Sequence, residues 1–210
     1  MLTKTSSPMP NTVTALLRAR AEELPNKEAF RFMSTGQSVT YSTFYKGVRN
    51  LAAGLRGLGV ATDDRIALMV PNRMEFLQTW FAATYLGTLH VPVNTFLKGG
   101  LLAYLLNDSL AGAIVIDPQY VERLLAVAAD LPRLETVLVC GDLDPSQSKE
   151  LAAGFDVRHF DDVASVVAEA TFGPADREPA LGCRRCHLYV WHNGAIEGCV
   201  GSASPPVGDG

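Results

Sequence analysis

Cysteine is nearly absent from most of the 210 residues. Cys140 is the only one in the first 180, and Cys183, Cys186 and Cys199 crowd into the last segment. That distribution excludes a disulfide framework and suits a reducing compartment. There is no run of about 18 uninterrupted apolar residues, so no membrane span is expected. Residues 1–10 are polar and lack the charged start and apolar stretch of a secretory leader. Net charge is small: 18 Lys and Arg against 22 Asp and Glu leave −4. Such mild acidity offers no footing for nucleic acid or an anionic membrane surface. A soluble, cytoplasmic protein is the expectation. What the chain does have is apolar mass, 48% of its residues, enough for the core of one large domain.

The apolar residues are periodic. Val13, Leu16, Leu17, Ala21 and Leu24 share one helical face, and Pro25 ends it. Residues 28–33 and 38–41 read as a hairpin with Gly36 in its turn. Ser42 is placed to cap a helix carrying Phe44, Val48, Leu51, Leu55 and Leu58, with Gly59 as its stop. Residues 65–70 are almost wholly apolar, as in a strand covered on both faces. Helical spacing returns at residues 74–86, with a strand at 89–93 in which Pro92 marks the end or an irregularity. A helix at 101–106, a strand at 113–116, a helix at 119–131 and a strand at 136–140 follow. Residues 142–150 read as a polar loop, 157–170 as a strand and a helix, and 171–179 as a linker. The alternation from 65 to 140 predicts a doubly wound, mostly parallel α/β sheet with helices on both faces. Ligands in such folds collect at the carboxyl ends of the strands, here near Pro71-Asn72, Asn94-Thr95, Asp117 and Gly141.

The order of these phrases resembles the start of the adenylate-forming, AMP-binding acyl-CoA synthetases. The matching stretches include Val39-Thr-Tyr-Ser-Thr-Phe44, Leu51-Ala-Ala-Gly-Leu55, Asp64-Arg-Ile-Ala-Leu68, Pro71-Asn-Arg-Met-Glu-Phe76, Val91-Pro-Val-Asn94 and Leu105-Leu-Asn-Asp-Ser109. Each is weak alone, and their joint order over some 130 residues carries the likeness. The Val-Pro-Val-Asn phrase looks closest to the carnitine or crotonobetaine CoA ligase branch. The resemblance implies a two-step reaction. A carboxylate attacks the α-phosphate of Mg-ATP to give an acyl-adenylate and pyrophosphate, and the thiol of CoA then displaces AMP. It also implies a Gly/Ser/Thr-rich loop with a Lys, to hold the polyphosphate, soon after residue 179. Nothing in the chain reads as that loop.

From Gly182 onward the sequence departs from the family, and the genetic code suggests why. Tyr189-Val-Trp191 is encoded TAY GTN TGG, so the frame one nucleotide later reads AYG, TNT and GGC. Continued through Val200, the degenerate positions permit Thr-Ser-Gly-Thr-Thr-Gly-Pro-Ser-Lys-Gly-Val, the family's phosphate-loop signature. Continued to Gly210, they permit Leu-Val-Pro-His-His-His-Gln-Trp-Ala-Met, which resembles what usually follows it. A one-frame slip between about Glu178 and Tyr189 is therefore expected. The chain divides on this reading into residues 1–10, a truncated synthetase portion at 11–180, and an aberrant, disordered tail at 181–210. Its function would be that of a truncated ATP-dependent acyl-CoA synthetase, inactive as this chain. The alternative is a non-catalytic α/β small-molecule-binding or interaction module. A truncated synthetase should also expose apolar surface that the missing half would cover, with aggregation or degradation as the result.

Other candidates have plainer readings. Cys183-Arg-Arg-Cys186-His187 matches a haem-attachment pattern, but that chemistry needs export. Cys183, Cys186, His187, His192 and Cys199 offer soft zinc ligands at a spacing that matches no common finger. Gly194, Gly198 and Gly201 lack a Lys and a following helical pattern. His90 reads as a core or edge histidine, and His159 with Asp161 and Asp162 as a solvated cluster. Asp117-Pro118 ends a strand and starts a helix, Asn72 and Asn94 form turns, and Trp80 and Phe81 belong to the core. No catalytic, cofactor-binding or metal residue is assigned. No cofactor is expected for this chain; ATP, Mg and CoA, with a small-molecule carboxylate, serve the intact family. Sequencing the DNA behind residues 175–210 checks the slip: a single-base change should restore the loop, and its failure to do so removes the idea.

Overall fold

A computed structural model describes residues 12–33 and 35–168, with the backbone of strands at 187–192 and 195–200. Helix α1 (Val13–Glu23) is capped by Thr12, whose hydroxyl accepts from the Ala15 amide at 3.0 Å. Strands β1 (Glu28–Arg31) and β2 (Ser38–Thr40) pair antiparallel, with Gly36 at φ 70° between them. Helix α2 (Tyr41–Gly57) starts two residues earlier than Ser42 would set it. Its cap is Thr40, whose Oγ1 accepts from the Thr43 amide. Ser42 instead lies inside the first turn, its amide bonded to the Pro25 carbonyl.

The main sheet has five parallel strands: β3 (Arg65–Met69), β4 (Leu89–Pro92), β5 (Ala113–Ile116), β6 (Thr136–Val139) and β7 (Asp156–His159), in the order β4-β3-β5-β6-β7. Pro92 is the last residue of an edge strand, where a missing N–H costs nothing. Helix α3 (Met74–Leu86) joins β3 to β4, and α4 (Gly100–Asp108) carries the chain back across β3 to β5.

Two connections differ from the sequence reading. Residues 119–131 form a 3-10 turn (Pro118–Tyr120), a short α5 (Val121–Leu125) and a second 3-10 turn (Ala128–Asp130), not one helix. The break falls at Val127, which is buried at φ −124°. Residues 142–150 are a loop only as far as Asp144. Helix α6 (Pro145–Ala152) takes the rest, started by Asp144 accepting from the Ser146 amide at 2.8 Å and by Pro145 in its first turn. Helix α7 (Phe160–Ala164) follows β7.

The sheet is apolar on both faces because successive strand residues point to opposite sides. Ile66, Leu68, Val70, Val115 and Leu138 enter one core with Phe44, Val48, Leu51 and Leu55 of α2, together with α3 and Phe160 of α7. Ala67, Met69, Ile114, Ile116, Val137 and Val139 enter a second core with Leu102 and Leu106 of α4, Leu124 of α5 and Leu151 of α6. Phe30 of the hairpin stacks edge-on against Phe44, with centroids 4.8 Å apart. Among the described residues, helices thus cover both sheet faces. The exposed large apolar side chains among the described residues lie elsewhere, on α1, the hairpin turn, α4 with the residues flanking it, and residues 166–167.

The remaining strands, β8 (His187–His192) and β9 (Ala195–Val200), pair antiparallel with His192 opposite Ala195. The sequence reading placed no element there. The physical signal is Asn193-Gly194, a two-residue connection of the kind that favours a tight hairpin turn.

Gly54 is required where α2 meets α7: a Cβ there would fall 2.0 Å from the Val163 carbonyl oxygen. Gly57, three residues on in the same helix, has open space. Gly54→Ala is expected to destabilise by about 1–3 kcal/mol despite alanine's higher helix propensity. Gly57→Ala should be neutral or stabilising by up to about 1 kcal/mol. Urea melts of the two variants check this; equal effects would contradict it.

Candidate functional site

The strand order reverses between β3 and β5: the chain leaves β3 for β4 on one side and returns to β5 on the other. In a doubly wound sheet the crevice at the carboxyl end of that reversal is the usual ligand position. Here it is bridged by a side chain. Arg73 stands at the N-cap of α3, just past β3, and its guanidinium reaches across the crevice. Nη1 donates to Asp117 Oδ2 at 2.8 Å and to the Cys140 carbonyl at 3.3 Å. Nε and Nη2 donate to the two Glu75 oxygens at 2.7 and 2.5 Å, a fork-to-fork pair. One arginine thereby joins the residues that follow β3, β5 and β6.

Asp117 is buried, so its charge needs partners. Its Oδ2 takes the arginine, and its Oδ1 accepts from the Gln119 amide at 3.2 Å and the Gln119 side chain at 3.0 Å. Its own amide donates to the Met69 carbonyl, extending the β3–β5 pairing by one bond. Glu75 sits in the first turn of α3, where a carboxylate favours the helix dipole. The hydrogen bonds that Arg73 donates to Glu75 are the main cause raising its pKa, so this cation stays charged at any working pH. Burial, the largest cause, pushes the Cys140 thiol up, and nearby Glu75 adds to it; this cysteine is held protonated and unreactive.

The other sequence candidates fall into structural positions. Asp117 ends β5 and caps the 3-10 turn that Pro118 begins. Asn72 is exposed in the β3–α3 connection. Asn94 is a turn former: its Oδ1 accepts from the Phe96 amide at 2.9 Å and its carbonyl from Leu97. The neighbouring Thr95 carbonyl accepts from Arg123, whose guanidinium also lies 5.2 Å over the Tyr120 ring. Gly141 follows β6 at φ 125°, a conformation only glycine adopts readily. His90 lies on edge strand β4, 5.4 Å from the Trp80 ring, and burial lowers its pKa so that it stays neutral near pH 7. Phe81 packs edge-on against Phe44 at 5.2 Å, in the first core. His159 is exposed before α7, with Asp161 and Asp162 in that helix's first turn.

Among the described residues, no three His, Cys, Asp or Glu side chains come together as a metal site. No helix of the described chain is long and apolar enough to cross a membrane. The side chains of Cys183, Cys186, His187, His192 and Cys199, and Gly194 and Gly201, lie outside the described residues; Gly198 is known only as backbone in β9. The crevice residue that sequence reasoning missed is Arg73. It sits inside the Pro71–Phe76 phrase, but its partner lies 44 residues away and no local pattern reveals the pair.

This is an α/β module of the doubly wound class, with its switch-point crevice spanned by an ion pair. Its sequence matches the profile of the AMP-binding enzyme family over residues 17–179, and the chain belongs to that family. It is 35% identical over 139 residues to a feruloyl-CoA synthase of Amycolatopsis, an alignment covering 65% of this chain and 27% of that one. A protein of Mycobacterium tuberculosis, Rv1549, is 29% identical over 141 residues, 67% of this chain and 78% of its own length. The crystal structure of the N-terminal domain of FACL13 from the same organism superposes with a TM-score of 0.68 over 91% of this chain and 44% of that one, at 24% identity, a likeness of fold. The chain spans 20–27% of the length of the curated acyl-CoA ligases it matches.

Removing the crevice ion pair should cost stability. Arg73→Ala leaves a buried carboxylate without its main partner and is expected to destabilise by about 1–3 kcal/mol. Arg158→Ala breaks an exposed pair with Asp156 and should shift stability by less than about 0.5 kcal/mol. Thermal or urea melts compare the two; an Arg73 variant as mild as the Arg158 variant would show the crevice pair to be incidental.

Proposed function

We propose that this chain carries the N-terminal part of an ATP-dependent acyl-CoA ligase and that, as a 210-residue polypeptide, it forms no acyl-CoA by itself. Membership of the AMP-binding family supports the first half. The substrate is kept at the level of a carboxylic acid, activated in relatives as an acyl-adenylate and passed to CoA.

The observation that carries the second half is electrostatic. Adenylation needs groups that hold a triphosphate and its metal while charge develops at the α-phosphorus. The cation that spans the crevice at the carboxyl end of this sheet is Arg73, and two carboxylates already engage it. Asp117 and Glu75 leave that cluster one negative charge in excess, which repels a polyphosphate. The Gly/Ser/Thr loop with its Lys, implied for relatives just after residue 179, is not encoded in this reading frame. The family match also ends at residue 179, close to where the shifted frame begins to spell that loop. On this reading residues 11–180 are the ligase portion, residues 1–10 precede it, and residues 181–210 are read out of frame. Closure of both sheet faces favours a second reading, a non-catalytic α/β module that binds a small molecule or a protein.

The test is turnover. The pure chain, given Mg-ATP, CoA and a panel of aliphatic and aromatic acids, should release no pyrophosphate or AMP above background. Thioester formation by the 210-residue chain would overturn the proposal. Specific ATP-independent capture of one acid would favour the second reading.

A further inference from the structure

A row of aromatic rings crosses the first core and ends on a ring that titrates. Phe30 of the hairpin lies 4.8 Å from Phe44 of α2, and Phe44 lies 5.2 Å from Phe81 of α3. Phe81 is 5.5 Å from Trp80, and Trp80 is 5.4 Å from His90 of β4. Each distance falls in the range in which aromatic pairs attract beyond their shared apolar area. His90 sits at the weak end of the row. Among the described residues β4 is an edge strand bonded to β3 alone, and Trp80 and His90 are both half-buried. The Leu89 amide donates to the Asp64 carbonyl at 2.8 Å and the Val93 amide to the Leu68 carbonyl at 2.9 Å. The odd residues of β4 therefore turn their backbone to β3, and His90 turns its own to the open edge.

We propose that His90 and Trp80 form an acid-sensitive latch on β4: an imidazolium at position 90 leaves the Trp80 ring and releases the strand, together with the turn at residues 93–97 that follows it. Two effects compete at the ring. The face of Trp80 attracts a cation, whereas burial strips the cation of water. Burial wins, since it lowers the His90 pKa and is the one cause acting on it. The charged neighbours do not alter this. Strand β3 carries Arg65, whose side chain alternates to the sheet face opposite that of Ile66 and His90 and donates to the Asp63 carbonyl. Helix α3 carries Glu75, held by Arg73, and Tyr85, which is buried. Helices α1 and α2 pack on α3. Their cations, Arg18, Arg20, Lys46, Arg49 and Arg56, and their acids, Glu22 and Glu23, have no part in the His90 shift. The direction with pH follows. Neutral His90 stabilises the closed strand fully above the ordinary histidine value, and that stability is lost as the pH falls through the lowered one. Because β4 is paired on one side, it can leave without breaking the β3-β5-β6-β7 ladder.

Amide exchange of the full 210-residue chain, followed by NMR, tests the latch. Rates are expressed as protection factors, so that the intrinsic pH dependence of exchange cancels. Between about pH 7.5 and about pH 5 the Leu89 and Val93 amides should lose protection by about threefold to tenfold, while the amides of β5 and β6 change by less than about twofold. The loss should share its midpoint with the titration of the His90 ring, read from its Cε1 proton. His90→Gln, neutral throughout, should abolish the loss and keep β4 closed at the lower pH. If the glutamine variant does not fold, His90→Phe, which keeps a ring against Trp80, takes its place. Four results sink the inference: no loss in the parent, a midpoint that differs from that of the His90 ring, a loss that persists in the position-90 variant, or an equal loss in β5 and β6, which is global acid unfolding.

Discussion

The carboxyl end of the sheet is organised around one guanidinium. Three parallel strands end there with carbonyls and side chains that have lost their ladder partners, and Asp117 carries a charge into a nearly dry position. Arg73 answers both needs, with two donors to Glu75, one to Asp117 and a longer one to the Cys140 carbonyl. Lysine would supply the charge but not the planar fork. The arrangement turns what is commonly a binding crevice into a structural joint. Fold likeness to nucleotide-handling enzymes therefore says little about whether this sheet end receives a nucleotide.

The joint also bears on how the module stands by itself. Alternating strand residues feed two separate cores, each walled by helices, so that both faces of the sheet are dry. A fragment that kept one layer of helices would leave a whole sheet face to water, and collapse or aggregation would follow. Among the described residues, helices wall both faces. The apolar surface left over is local, and its most concentrated piece is the outer side of α4. Among the described residues the two cores are walled by helices, and the exposed apolar side chains lie outside them.

Much of this was legible in the sequence because the strands are buried on both faces. Residues 65–69 and 113–116 are continuous apolar runs, and such runs between helical periods specify a parallel sheet with little ambiguity. Helix α3 is framed by Pro71-Asn72 ahead of it and Gly87 behind it. The reading failed where the signal was short or polar. Helix α6 has one buried residue, Leu151, so no apolar stripe announces it, and only the Asp144-Pro145 start could have. The 119–131 segment has helical spacing, yet its turns are set by where Val121, Leu124 and Val127 must enter the second core. Asn193-Gly194 was a hairpin signal passed over because its flanks lack a period. The Arg73 joint was beyond reach, since long-range ion pairs leave no trace in a single sequence.

Family membership and local chemistry bear on different questions. The match over residues 17–179 shows descent from the AMP-binding enzymes and the fold that goes with it. What stands at the sheet end is set by side chains. Arg73 is held by Glu75 and Asp117, whereas Arg123, beside the turn after β4, donates to the Thr95 carbonyl and lies over the Tyr120 ring. The two guanidiniums thus meet different partners, carboxylates in one case and a carbonyl with an aromatic face in the other. A fold shared with catalytic relatives does not by itself decide whether either of them meets a phosphate.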